Sequence, residues 1–332
     1  MKIHFIVSES TFLRYYMPLL IAAHKRGINS ILYLIKNAKY NNPYRYIDQI
    51  REMVAPYSSV IKDISEVQKD KKGITFLVEG SAIELTPYVN RKIVLTAMLD
   101  FGRGYDSYVS QVEHVVFPGK FIAEYYGKVN PRNIYVGSPK YDLVLDKNTI
   151  REKYAIKSDK NALVVFPRLR DLNQIDLGRI YDFLRDYGYN VIVKTRGKDP
   201  VPCQLRGDQC FEDVTWFPHT SMELIEIADI VINTDSGAIK ECVMLDTPLV
   251  NFHVKPSTVG TKRMGCPRAG FEFLYEQPYC KELPTNIDSK SFGEIIGSLT
   301  TEDFSLVFDE VRKKYLFENI NISEQILDKV LQ

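Results

Sequence analysis

The stretch Ile230–Val250, IVINTDSGAIKECVMLDTPLV, gathers a hydroxyl, carboxylates and a glycine around a single predicted turn. An apolar strand at Ile230–Ile232 runs into Asn233-Thr234-Asp235-Ser236-Gly237. A helix is expected over Gly237–Leu245, ending before Thr247-Pro248, where a second apolar run begins. A small turn between strand and helix exposes backbone N–H groups at a helix N-terminus, and that geometry binds phosphate or diphosphate. One turn into the helix, Glu241 is spaced to reach past the phosphates to the hydroxyls of a ribose. The pattern predicts a nucleoside-diphosphate site in the C-terminal half, built on Thr234, Asp235, Ser236, Gly237, Ala238 and Glu241. The same junction also occurs in α/β proteins as a helix cap alone, so the neighbouring residues carry weight.

Cations follow the other strand ends nearby. Phe166-Pro167-Arg168-Leu169-Arg170 follows one predicted strand, and Lys194-Thr195-Arg196-Gly197-Lys198 closes the next. Arg168, Arg170, Lys194 and Arg196 are therefore candidates to face one anion together with the Ser236-Gly237 turn. Surface loops carry Lys and Arg in any case, and that explains any single one of these residues. It explains three strand ends in one domain less easily, because ligands of open α/β sheets bind outside the carboxyl ends of the strands.

The elements that would position these groups form two series. Lys2–Val7, the helix Phe12–Arg26 and Ser30–Ile35 make a βαβ opening. Strands are expected at Val60–Lys62, Thr75–Val78, Lys92–Thr96, His114–Phe117 and Asn133–Val136, with helices at Tyr44–Val54 and Lys120–Lys128. The short helix Lys147–Tyr154 and a polar stretch from Lys157 to Asn161 mark the domain boundary. The second series has strands at Ala162–Phe166, Asn190–Lys194, Ile230–Ile232 and Leu249–Phe252. Its helices are Gln174–Asp186, Ser221–Ile227 and Gly237–Leu245, with Thr220 and Glu223 spaced for a capping box. The tail is helical over Ser291–Leu299, Glu302–Leu316 and Ser323–Leu331, and is able to pack back across the first domain. The expected class is α/β: two Rossmann-like domains, residues 1–145 and 146–332, facing a central cleft, the second carrying the helical tail.

Composition excludes several classes. At 332 residues the chain exceeds a single ordinary core. Its 45% hydrophobic and 26% charged content is that of a globular protein, and its formal charge of +1 does not suit a protein that coats nucleic acid. The five cysteines show no C-x-x-C spacing, so reduced thiols in a cytoplasmic protein are expected. The N-terminal apolar stretch Tyr15–Ala23 is short, contains Pro18 and has no small-residue cleavage site. No run approaches the roughly 18 apolar residues of a membrane span. Contact with the inner face of a membrane stays an alternative. The stretch Lys36–Arg51, which mixes basic residues with tyrosines, reads as a solvated face or as a surface for an anionic acceptor. Lys255–Arg268 reads as a loop over phosphates or as a surface excursion.

On these residues the second half resembles the C-terminal domain of the GT-B superfamily, two-domain enzymes that use nucleotide-activated sugars or polyols. The UDP-N-acetylglucosamine 2-epimerases carry T-D-S-G-G-x-Q-E after a strand; this chain has Thr234-Asp235-Ser236-Gly237-Ala238-Ile239-Lys240-Glu241. Many GT-B transferases place a Glu seven residues before the Pro that opens the next strand, as Glu241 and Pro248 stand here. CDP-glycerol glycerophosphotransferases have K-x-H-P after an apolar strand. Lys194-Thr195-Arg196 is similar in place and lacks the His-Pro. Gly137-Ser138-Pro139-Lys140-Tyr141-Asp142 resembles the G-x-P-x-x-D at the domain junction of several of these families.

The resemblance implies that Ser236 and Gly237 hold the diphosphate and Glu241 the ribose. It implies that Pro218 and His219 lie near the nucleobase. The donor would be a nucleotide sugar, UDP- or CDP-linked, with a glycan or glycolipid acceptor, no other cofactor and no nucleic acid. The epimerase motifs G-D-T and H-x-E-A-G-L-R are not intact at Glu79-Gly80-Ser81 and Thr96–Arg103, so transfer is expected rather than epimerisation. A transferase needs a general base for the acceptor hydroxyl; Asp100 is the first candidate and Glu79 the second. No D-x-D occurs in the chain, which fits a metal-independent transferase. A 2-epimerase-like isomerase and a nucleotide-binding partner subunit without catalysis stand as alternatives.

Overall fold

The computed structural model describes all residues except 1, 37–41, 58, 70–72, 80–90, 97–104, 126, 196–200, 214–215, 255–271 and 317–320. The chain divides into two compact units, Met1–Leu143 with Lys313–Gln332, and Val144–Arg312.

The first unit holds a seven-stranded sheet. Its strands are β1 (Lys2–Val7), β2 (Asn29–Leu34), β3 (Val60–Asp63), β4 (Ile74–Val78), β5 (Arg91–Leu95), β6 (His114–Phe117) and β7 (Asn133–Tyr135). The order is β3-β2-β1-β4-β5-β6-β7 and every pairing is parallel. The central strands are buried along nearly their whole length, as continuous apolar runs in a parallel sheet must be. Phe5 and Phe76 stack across β1 and β4 with ring centroids 5.5 Å apart.

The second unit repeats the pattern with six strands. They are β8 (Asn161–Val165), β9 (Asn190–Thr195), β10 (Gln209–Glu212), β11 (Ile230–Asn233), β12 (Leu249–Phe252) and β13 (Cys280–Leu283). The order is β10-β9-β8-β11-β12-β13, again parallel throughout. Both sheets have the doubly wound order 3-2-1-4-5-6, which reverses direction beside the first strand. The α/β class and the two Rossmann-like sheets are as expected.

Several local expectations are corrected. The helix expected over Gln174–Asp186 is two elements. A 3-10 turn, Leu169–Gln174, is followed by the helix Leu177–Asp186, whose Asp176 side chain accepts from Arg179 N–H at 3.1 Å. The capping box at Thr220 and Glu223 does not form. His219 is the N-cap, and the Glu223 carboxylate instead accepts from Lys153 Nζ at 2.7 Å and the Tyr154 hydroxyl at 2.6 Å. A buried carboxylate gains more from a cation and a phenol than from one backbone N–H.

The last twenty residues were expected with the second domain and instead join the first unit. The helix Ile322–Leu331 buries Ile322, Ile326, Leu327 and Val330, packing on the helix Leu13–Lys25. Arg26 pairs with Glu324 and Asp328. Asp142, from the Gly137–Asp142 motif, accepts from Ser323 N–H at 2.8 Å and so caps this helix from outside it. Among the described residues no helix is long and apolar enough to cross a membrane.

Candidate functional site

The end of β11 is held by amides buried where an apolar strand would normally continue. Asn233 and Asn251 are opposite one another in the β11–β12 register and both are fully buried. Asn233 Nδ2 donates to Asn251 Oδ1 at 3.0 Å and to the Tyr275 hydroxyl at 3.1 Å. Buried amides need such partners, and the Asn233 Nδ2 finds them in the next strand and in the short helix Glu272–Tyr275.

The network then fixes Asp235. Its backbone N–H donates to Asn251 Oδ1 at 2.9 Å, and Asn251 Nδ2 returns a bond to Asp235 Oδ1 at 2.9 Å. Oδ2 accepts from Val254 N–H at 3.0 Å and from His253 Nδ1 at 2.7 Å. Three donors on one buried carboxylate hold Asp235 at φ 48°, in the left-handed region that few residues other than Gly occupy. The chain therefore turns away from the sheet at Asp235 rather than running on.

That turn orients the peptides that follow. The Ser236 carbonyl accepts from the Tyr275 hydroxyl at 2.8 Å, and the Gly237 carbonyl from Lys240 N–H at 3.2 Å. Because a trans peptide sets N–H opposite C=O, the Gly237 N–H points away from Tyr275. Ser236 Oγ accepts from Ala238 N–H at 3.3 Å, which leaves its hydroxyl proton to give. Ser236, Gly237 and Ala238 are half-buried, while Thr234, Asp235 and Glu241 are buried. Glu241 stands in the first turn of the helix Ile239–Met244. Beside it Cys242 belongs to the core; burial, and then the Glu241 charge, push its thiol well up.

The sheet topology brings some expected cations to this turn and commits another elsewhere. β8 and β11 are neighbours and the strand order reverses between them, so Arg168, just past β8, lies at the same reversal point as Ser236. Arg168 precedes the 3-10 turn and its carbonyl accepts from Asp171 N–H at 2.8 Å. Arg170 lies within that turn; its side chain is outside the described residues, as are Arg196 and Lys198. Lys194 is another of the candidates to face the anion. It is buried, and its Nζ is 3.1 Å from the Asp213 carboxylate, which neutralises it.

Pro218 and His219 precede the helix Thr220–Glu226. His219 bridges to Trp216 and is 1% exposed, so its ring is enclosed rather than offered to a base. In the first unit, Glu79 ends β4 at the corresponding reversal point, buried, with its N–H donating to the Leu95 carbonyl at 2.9 Å. Burial, and then the Glu79 charge, push the Tyr108 hydroxyl upward. Asp100, Gly80, Ser81 and Lys255–Arg268 are outside the described residues. Asn251, His253, Tyr275 and Asp213 were not anticipated as site residues. The signal for the first was available: two apolar strands, IVIN and LVNF, each carry an Asn at or near the carboxyl end.

No family model matches the chain, and no curated protein matches it by sequence. Solved structures do match its fold over essentially the full length. One is the UDP-GlcNAc 2-epimerase of Methanocaldococcus jannaschii, 12% identical with a TM-score of 0.63, covering 100% of this chain and 99% of that one. Another is the wall teichoic acid polymerase TagF, 13% identical with a TM-score of 0.61, covering 99% and 88%. A third is the glycotransferase of kitacinnamycin, 10% identical with a TM-score of 0.57, covering 100% and 98%. The chain shares its fold, of the GT-B type, with these structures.

Proposed function

We propose that the chain is a transferase. It moves a sugar, or a polyol phosphate, from a nucleoside-diphosphate donor to a glycan or glycolipid acceptor. The observation that carries this reading is the Asp235-locked turn, which directs the Gly237 N–H away from Tyr275 and leaves the half-buried Ser236 hydroxyl a proton to give, beside the reversal point of a doubly wound sheet. Ligands of such sheets bind at that point. The fold shared with TagF and the glycotransferase of kitacinnamycin supports the same reading.

In this reading Ser236 and Gly237 bind the diphosphate, Arg168 and Arg170 add positive charge, and Glu241 holds the ribose. Donors fixed before the reaction stabilise the departing group, a nucleoside diphosphate in sugar transfer or a monophosphate in polyol-phosphate transfer, without reorganising, which is the larger part of such catalysis. The acceptor hydroxyl is deprotonated by Asp100, with Glu79 as the second candidate. No metal step is invoked. The Lys194–Asp213 pair positions β9 against β10 and is not a ligand.

The test is a calorimetric titration with UDP, CDP, GDP and ADP, repeated on Glu241→Ala. One diphosphate should bind, roughly tenfold more weakly to the variant, or about 1.4 kcal/mol. Absence of binding by all four to the folded chain would sink the reading. A second reading, an isomerase of the 2-epimerase kind, is favoured by the M. jannaschii structure. Incubation with UDP-N-acetylglucosamine alone separates the two, since only the isomerase changes it without an acceptor.

A further inference from the structure

We infer that His253 is a phosphate ligand of this site, displayed and oriented by Asp235. The inference rests on the nucleoside-diphosphate reading and adds a residue to it. The two halves of the pair differ sharply in burial: the Asp235 side chain is 1% exposed and the His253 side chain 51%. A histidine placed to fill the core would be buried with its partner. Here the carboxylate is inside, fixed by Asn251 and Val254, and the ring projects from it.

The chemistry of the contact decides which nitrogen is left for a ligand. An ionised carboxylate only accepts, so the Nδ1 bond of 2.7 Å requires the proton on Nδ1. Nε2 is then the free valence of the ring. With Nδ1 donating to Asp235, Nε2 donates to an anionic oxygen when both ring nitrogens carry protons. His253 follows β12, the strand paired with β11, and is tied to the residue immediately before Ser236. Its ring is thereby anchored at the turn proposed to hold the diphosphate. The ligand is the phosphoryl group of the donor diphosphate farther from the nucleoside. A monophosphate lacks it.

The test uses the intact chain in two measurements. The first follows the ring Cε1–H signals of the five histidines by NMR, the His253 signal being the one lost in His253→Gln. Saturating inorganic pyrophosphate, or the nucleoside diphosphate that binds best, should shift the His253 signal and leave those of His4 and His24 in place. The second compares diphosphate with monophosphate of the same nucleoside. His253→Gln keeps a donor to Asp235 but has no ring nitrogen, and should lose about tenfold of the preference for the diphosphate. Asp235→Asn should lose a similar factor, because a neutral amide holds the ring more weakly than the carboxylate that orients it. If the chain binds diphosphate while the His253 signal stays still and His253→Gln keeps the full preference, the His253 assignment fails alone. If no nucleoside diphosphate or pyrophosphate binds the unaltered chain, the donor reading fails and His253 with it.

Discussion

The two units have the same strand order, yet they end their central strands in different ways. In the first unit the sheet continues beyond the strands proper: Glu79 N–H reaches the Leu95 carbonyl, and Thr96 N–H the Val116 carbonyl at 3.1 Å. In the second unit β11 stops at Asn233, and Asp235 turns the chain aside at φ 48°. One end extends a ladder; the other builds a turn on a buried polar network, with the Gly237 N–H directed away from Tyr275. The common topology explains where a ligand could sit in either unit. The network is why the proposed diphosphate site is placed in the second.

The comparison breaks most readily at Asn251. Asn251→Ala removes both bonds to Asp235 and the acceptor for Asn233, leaving a buried carboxylate short of a donor. We expect a loss of about 2–4 kcal/mol in denaturant unfolding, since an unmet hydrogen bond to a buried charge carries its full desolvation cost. Diphosphate affinity should fall more than tenfold in molecules that remain folded. Unchanged affinity would mean that the turn does not depend on the network. No position at the end of β4 should show such a double effect.

At the amino ends of their strands the two units are alike, and that sharpens the contrast. Gly73 enters β4 at φ 115°, where a Cβ would stand 2.5 Å from the Lys2 carbonyl oxygen. Gly207 comes just before β10 at φ 64°, where a Cβ would stand 2.6 Å from the Val191 carbonyl oxygen. Alanine at either position adds backbone strain to a clash with a fixed strand. Each should cost about 1–3 kcal/mol in thermal or denaturant unfolding. Neither should alter the diphosphate-to-monophosphate preference. A change in that preference with Gly207→Ala would mean that the site is less local than the network suggests.

How much of this was legible in the sequence follows from how local each feature is. The apolar runs of β1, β6, β11 and β12 announce themselves, as do the Ser236 turn and the spacing of Glu241. Edge strands β10 and β13 do not: Gln209-Cys210-Phe211-Glu212 and Cys280-Lys281-Glu282-Leu283 are four residues each and half polar, with neither an apolar run nor a period of two. Missing β10 hides Asp213, and with it the fate of Lys194. β10 pairs Phe211 with Lys194, so the residues just past its end arrive at that lysine. The Asn233–Asn251–Asp235–His253 network depends on the register of β11 against β12, and Tyr275 lies 42 residues from Asn233. No local pattern encodes either.

Asp142 carries a smaller effect and separates a motif from its setting. It belongs to the Gly137–Asp142 stretch, which resembles a domain-junction motif, and in this chain its carboxylate caps the helix Ile322–Leu331. Asp142→Ala should cost about 1 kcal/mol, the usual value of an N-cap. Hydrogen exchange in that helix should quicken more than exchange in the second unit.

The smallest effect is electrostatic and lies in the first unit. Arg91 grips Glu113 through two bonds of 2.8 and 2.7 Å and donates to the Val330 carbonyl at the end of the last helix. The Arg91 hydrogen bonds hold the Glu113 carboxyl below its ordinary value, against a weaker opposing push from burial. A carboxyl lowered by folding stabilises the native state above its unfolded pKa, about 4.3, and that contribution disappears as pH falls through the folded value. Both side chains are more than one-third exposed to water, at 39% and 34%, so the contribution should stay under about 1 kcal/mol. Arg91→Met should therefore flatten the loss of stability below about pH 4.3, while binding at the second unit's turn stays as it was. An acid profile unchanged by the substitution would show that the pair is screened to nothing. A change in nucleotide affinity would show that the polar network of the second unit does not act alone.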